Sequence, residues 1–238
     1  MRSYALYRGN MPASNAITLV GYGSNSGFIA RLTADGASDT SFGDIVGGGL
    51  RSGRVLLPPG TSGGVYTGLS YLSAARLTAD GHVVVAGQGG DRGITLIRYL
   101  DNGSLDNGFA TAGRVTIRYS TGTDVDKADA LAIQGNGKLV ASGYATSRAT
   151  GTPRNDVYVA RVLANGTVDA GFGDGQGRVV VAVSSLADAS FALGIEPSGN
   201  LLVGGYAQDP AAGATQQSDF ALLRLIGDPD RIFANSFE

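Results

Sequence analysis

The sequence predicts an all-β fold, a β-propeller of about four four-stranded antiparallel blades, and three observations carry the prediction. Three sequence landmarks recur in one order along the 238 residues. Glycine is unusually abundant, 38 residues or about 16% against roughly 7% in ordinary proteins, and it falls at turns rather than in a collagen period. The central strands are apolar at consecutive positions, so both of their faces need cover.

The repeat comes first. Arginines close the segments "FIAR", "TLIR", "YVAR" and "ALLR" at Arg31, Arg98, Arg161 and Arg224, with spacings of 67, 63 and 63 residues. Glycines close "ITLVG", "VVVAG", "LVASG" and "LLVGG" at Gly21, Gly87, Gly143 and Gly205, and "GRV" begins at Gly53, Gly113 and Gly177. A recurrence of this length marks a supersecondary unit that hides its apolar faces only against its neighbours.

Each unit reads as four strands, a to d. Strand a is "SYALY", "SAARL", "DALAI" or "FALGI", and in three units a glycine turn follows, "ADGH", "GNGK" or "PSGN". Strand b ends at the landmark glycine, strand c carries the arginine, and strand d opens at "GRV". Runs such as "HVVVAG" and "DVYVARV" need sheets on both sides, and blades stacked about an axis provide them. The expected blades span about 3–59, 71–119, 129–183 and 190–226. The fourth has no "GRV" strand, so 227–238 is expected to be a C-terminal tail or to close the last blade. An open sheet edge also makes self-association an expectation.

Strands c and d are joined by a repeated loop: "ADGASDTSFG", "DNGSLDNGFA" and "ANGTVDAGFG". Its Asp (Asp39, Asp106, Asp169) lies eight residues past the strand-c arginine, and its Phe (Phe42, Phe109, Phe172) three further on. The spacing predicts that each Asp pairs with an arginine while the Phe plugs the seam between blades.

Taken together, "DxxFG…GRV…ALxIxxxGxxxVxG…FxLxRL" resembles the delta-60 repeat, a β-propeller-like repeat of bacterial proteins that are often secreted or surface-bound. The resemblance covers nearly the whole chain. It departs at Ala110, where glycine is usual, at Arg76 in strand a, and in the fourth unit, which lacks "DxxFG…GRV". The final "DRIFANSFE" resembles a short C-terminal tail of some secreted gammaproteobacterial proteins. The resemblance implies an extracellular or cell-surface location. "MRSYALYRGN" has no apolar stretch of a secretory signal, which leaves a cytosolic chain or a mature or partial one.

Composition excludes several functions. With 18 basic and 20 acidic residues, the net charge of −2 offers no footprint for nucleic acid. No apolar run approaches the ~20 residues of a membrane-spanning helix. Cysteine is absent, which removes disulfides, thiolate metal sites and cysteine nucleophiles.

In such a meander the b–c and d–a connections share one end, and the b–c connections vary most, with steps of 6, 7, 14 and 15 positions from the strand-b glycine to strand c. Variable loops on a regular frame are where binding concentrates. Tyr22, Tyr144 and Tyr206 follow the strand-b glycine, with Gln88 in the remaining unit, and tyrosine offers a stacking face with a hydroxyl handle. The alternative is that these rings simply cover the blade rims. Arg148, Arg154 and Asp156 join them as candidate ligand-binding residues. Asp124, Asp126 and Asp129 cluster in "STGTDVDKAD" and are candidate Ca²⁺ ligands, although the EF-hand pattern is lacking and a solvated acidic loop is the reading the residues favour.

For catalysis there is little. The single histidine, His82, takes the turn position of Lys138 and Asn200 and is expected to face solvent, and no nucleophile elbow or zinc-helix motif is present. The leading expectation is a binding module for glycan, peptide or protein. Behind it stand a hydrolase or lyase with axial carboxylates and a structural segment of a larger repeat protein.

Overall fold

The computed structural model describes residues 4–7, 16–23, 26–57, 69–148, 153–208 and 218–227. The first sheet orders β1 (Tyr4–Tyr7), β2 (Ile17–Gly23), β3 (Ser26–Leu32) and β6 (Arg54–Leu56). The second contains β7 (Leu69–Leu77), β8 (Val83–Gly89), β9 (Ile94–Tyr99) and β10 (Arg114–Ile117). The third contains β11 (Asp126–Ile133), β12 (Leu139–Ser147), β13 (Arg154–Val162) and β14 (Arg178–Val181). The fourth holds three strands, β15 (Asp188–Ile195), β16 (Leu201–Gln208) and β17 (Ser218–Leu225). A hairpin of β4 (Ile45–Gly47) and β5 (Leu50–Arg51) interrupts the first c–d loop. The chain is an all-β propeller of antiparallel meanders. Residues 228–238 of the segment expected to close the last blade lie outside the described residues.

Consecutive apolar residues are explained by the seams. Val83 and Val85 point into a cluster with Val20 and Ile29 of the first blade, whereas Val84 and Ala86 point into another with Leu131 and Leu139 of the third. Val140, Val157 and Val159 meet Leu201 and Val203 in the next seam. On the fourth sheet, the positions equivalent to Val157 and Val159 are Phe220 and Leu222, which are 79% and 61% exposed. That outer face is bare among the described residues.

The landmark glycine of strand b answers to a β-bulge. Leu72 faces Gly87 and Ala74 faces Ala86, which leaves Ser73 over; Asp129 and Phe191 are left over in the same way opposite Gly143 and Gly205. The bulge pushes a strand-a carbonyl into the space of a side chain. A Cβ would lie 1.8 Å from the Tyr71 oxygen at Gly87, 2.0 Å from that of Lys127 at Gly143, and 1.9 Å from that of Ala189 at Gly205. Only glycine fits there.

The expected clamp is present three times. Nε of Arg31, Arg98 and Arg161 donates to Oδ2 of Asp39, Asp106 and Asp169 at 2.6, 2.6 and 2.8 Å. Each guanidinium also lies 4.4–4.6 Å from the ring centre of Phe42, Phe109 or Phe172. The clamp then crosses the seam. Arg31 Nη1 donates to the Asp101 carbonyl and Arg98 Nη1 to that of Ala164 at 2.7 Å, while the Gly43 and Ala110 N–H groups donate to the Asn102 and Asn165 carbonyls at 2.9 and 2.8 Å. Ala110, standing where glycine is usual, takes a left-handed φ of 48°. His82 is not simply solvent-facing: it is half-buried, with Nδ1 3.9 Å from Asp106, and Lys138 from the same turn position lies 3.3 Å from Asp169.

The clamps set an acid limit on stability. Burial alone would raise the Asp39 and Asp169 carboxyls, but Ser41 and Arg31 around the first, and Arg161, the Gly171 N–H and Lys138 around the second, hold both below their ordinary 3.8. Both groups bind protons more weakly folded than unfolded. Their stabilisation is therefore complete above that ordinary value and is lost as pH falls through the folded values. Thermal unfolding followed by circular dichroism should show the midpoint dropping below about pH 4. The Asp39→Asn/Asp169→Asn protein should show a shallower drop, and an unchanged slope would refute the assignment.

Candidate functional site

The end of the propeller where strands a begin and strands b finish gathers the candidate site. Strands b run past the landmark glycine, to Gly23, Gly89, Ser147 and Gln208, so Tyr22, Gln88, Tyr144 and Tyr206 sit on strands rather than in loops. Strands a begin earlier than the pattern indicates, at Leu69, Asp126 and Asp188. This lengthening pairs Tyr71 with Gln88, Lys127 with Tyr144, and Ala189 with Tyr206.

An aromatic surface results, drawn from three blades. Phe191, turned out by its bulge and 58% exposed, stacks on Tyr206 with centroids 5.7 Å apart and planes 26° from parallel. Lys127 Nζ is 6.0 Å from the Tyr71 ring centre and donates to Asp129 Oδ1 at 2.6 Å. Tyr144 lies among them: burial pushes its hydroxyl pKa above the ordinary value, Lys127 opposes the shift, and Asp129, Tyr206 and Tyr71 reinforce it. Below this surface the bulged Ser73, Asp129 and Phe191 line a cleft of about 330 Å³, to which Val20 of the first blade also contributes. The mouth therefore offers ring faces, a cation and a carboxylate together.

Other candidates are held by the frame. Arg148 grips Asp124 through two bonds of 2.5 and 2.7 Å, tying the end of β12 to the preceding d–a loop, and this pairing holds the Asp124 carboxyl below its ordinary value. Arg154 donates to Asp156 at 3.0 Å and to the Ser185 carbonyl at 2.7 Å, and Asp156 is buried. Asp126 is fully buried beneath a turn, accepting the Tyr119 N–H at 2.6 Å, the Ser120 N–H and the Ser120 hydroxyl. Burial pushes its carboxyl upward against those bonds. Asp188 does the same for Val183 and Ser184 in the next blade, at 2.7 and 2.9 Å. Asp124, Asp126 and Asp129 thus face three different sets of partners, and the described residues contain no cluster of three or more histidines or carboxylates spaced for a metal. For Tyr22 only the backbone on β2 is described.

Sequence reasoning passed over Tyr71, Lys127 and Phe191. Tyr71 and Lys127 precede the expected starts of their strands, and Phe191 reads as an ordinary core residue of "FALGI". The strand-b glycine was the available signal, since a glycine inside a strand marks a bulge and a bulge reverses the face of its extra residue.

A family model agrees on architecture. A family model described as "Domain of unknown function (DUF5122) beta-propeller" matches residues 15–42, 78–109 and 134–172. Each matched stretch ends on a clamp phenylalanine. No curated protein matches the chain. Among solved structures, a GH43 endo-arabinanase from Bacillus licheniformis is similar over 90% of this chain and 70% of that one, at 14% identity and a TM-score of 0.46.

Proposed function

We propose that this β-propeller is a glycan-binding module working at the bacterial cell surface or outside the cell. The observation that carries the reading is the exposed Phe191–Tyr206 stack, set beside Tyr71, Tyr144 and the Lys127–Asp129 pair at one mouth of the axis. Sugar rings present apolar C–H faces that pack on aromatic planes, and their hydroxyls take hydrogen bonds from an ammonium and give them to a carboxylate. The resemblance to the delta-60 repeat supports the location.

Glycoside hydrolysis ordinarily needs two carboxylates flanking one bond. On the described strands a, Asp126 and Asp188 are committed to backbone N–H groups, so Asp129 is the strand-a carboxylate left to the cleft. The arrangement suits holding better than cutting.

The experiment is binding of the full chain to an immobilised panel of neutral and acidic oligosaccharides, followed by calorimetry on those retained. Tyr206→Ala and Phe191→Ala should each weaken binding by about tenfold or more with little change in thermal midpoint. Retained sugars that bind both variants as tightly as the parent would refute the site. A structural role has support of its own in the outer face of the fourth blade, which is bare among the described residues. Concentration-dependent self-association with no retained sugar would favour it.

A further inference from the structure

We propose that the seam between the first and second blades holds a separate site for a single-chain amphiphile with an anionic head, a free long-chain carboxylate being the simplest example. The first blade departs from its sisters at the c–d loop: Gly53 follows Phe42 by 11 positions, whereas Gly113 follows Phe109 by 4 and Gly177 follows Phe172 by 5. The added residues build the β4–β5 hairpin, which borders a cavity of about 830 Å³. Small-molecule sites are typically apolar cavities of this size with a few placed polar groups.

The walls suit an aliphatic chain. Ile45, Val55, Leu56, Ile97, Tyr99 and Leu105 line the cavity. Ile45 and Leu56 are 69% and 60% exposed, an apolar surface that gains free energy when a chain covers it. The seam between the second and third blades, which has no hairpin, forms a smaller cleft of about 480 Å³ lined in part by Asp91, Thr111, Thr116 and Thr167. An enlarged apolar chamber belongs to the first seam.

The polar groups select the head. Arg51, Arg114 and Asp44 line the cavity, two cations to one anion. Asp44 Oδ2 accepts the Leu56 N–H at 3.2 Å, and Arg51 gives one N–H, from Nη1, to the Gly43 carbonyl at 2.6 Å. Guanidinium groups favour carboxylates over neutral heads. A carboxylate head at the arginines with its chain along Ile97 and Leu105 satisfies both parts of the lining.

The site is at the c–d end, away from the aromatic mouth, so it stands or falls separately from glycan binding. Calorimetry of the full chain with decanoate and with decanol, each below its micelle concentration, tests it. Decanoate is expected to bind one to one, and decanol at least about tenfold more weakly. Ile45→Asp, at an exposed position, should weaken decanoate by about tenfold without lowering the thermal midpoint. Arg51→Gln/Arg114→Gln should bring decanoate down to the affinity of decanol. Equal binding of the two compounds, decanoate binding untouched by Ile45→Asp, or no saturable binding would each overturn the proposal. Co-sedimentation with phosphatidylglycerol vesicles in the absence of decanoate binding would overturn it in favour of a membrane surface.

Discussion

Phe109→Ala is expected to lower the midpoint of thermal unfolding by roughly 10 °C. The ring is fully buried in the cluster joining the second and third blades and carries the Arg98 guanidinium 4.6 Å from its centre. Removing it leaves a cavity at a seam and strips the contact from a partly buried cation, a loss of about 3–5 kcal/mol. For a chain of this size each kcal/mol shifts the midpoint by about 2–4 °C. Calorimetry checks it. A shift below about 3 °C would mean that the seam re-forms without the plug, and the clamp would lose its structural meaning.

Gly143→Ala should be costlier still to folding, with little soluble protein or a loss above about 3 kcal/mol in urea denaturation. The new methyl would sit 2.0 Å from the Lys127 oxygen and 3.0 Å from the Asp129 nitrogen, so the bulge has to flatten. Flattening moves strand a by one residue against strand b and exchanges the faces of its side chains. Lys127 would then leave Tyr144, and Asp129 would leave the cleft. Gly135→Ala provides the control, because nothing lies within 4 Å of a methyl there, and it should stay within about 0.5 kcal/mol of the parent. Equal stability of the two variants would refute the account of the landmark glycine.

The same bulge explains what could be read of the candidate site beforehand. Tyr144 and Tyr206 were visible because they follow a repeated glycine. Their neighbours Lys127 and Phe191 were hidden because an alternating pattern assigns strand residues to faces by parity, and one extra residue inverts the parity from that point on. Asp126 is a different case. Close in sequence to Asp124 and Asp129, it has the look of a ligand set, yet a buried carboxylate capping the amides of Tyr119 and Ser120 satisfies a local turn. The hairpin at Ile45 was obscured by length, since an insertion in a loop carries no period from which its fold could be inferred.

Order along the chain determined the four meander sheets, their antiparallel order and the three arginine–aspartate–phenylalanine clamps, because each depends on residues within one repeat and recurs at a constant offset. Tertiary structure decided the rest: which rings share the mouth of the axis, which seam opens into a chamber, and which face of the last sheet is bare among the described residues. Those features depend on how neighbouring blades meet, and contacts between side chains some sixty residues apart leave no mark in the spacing of either one.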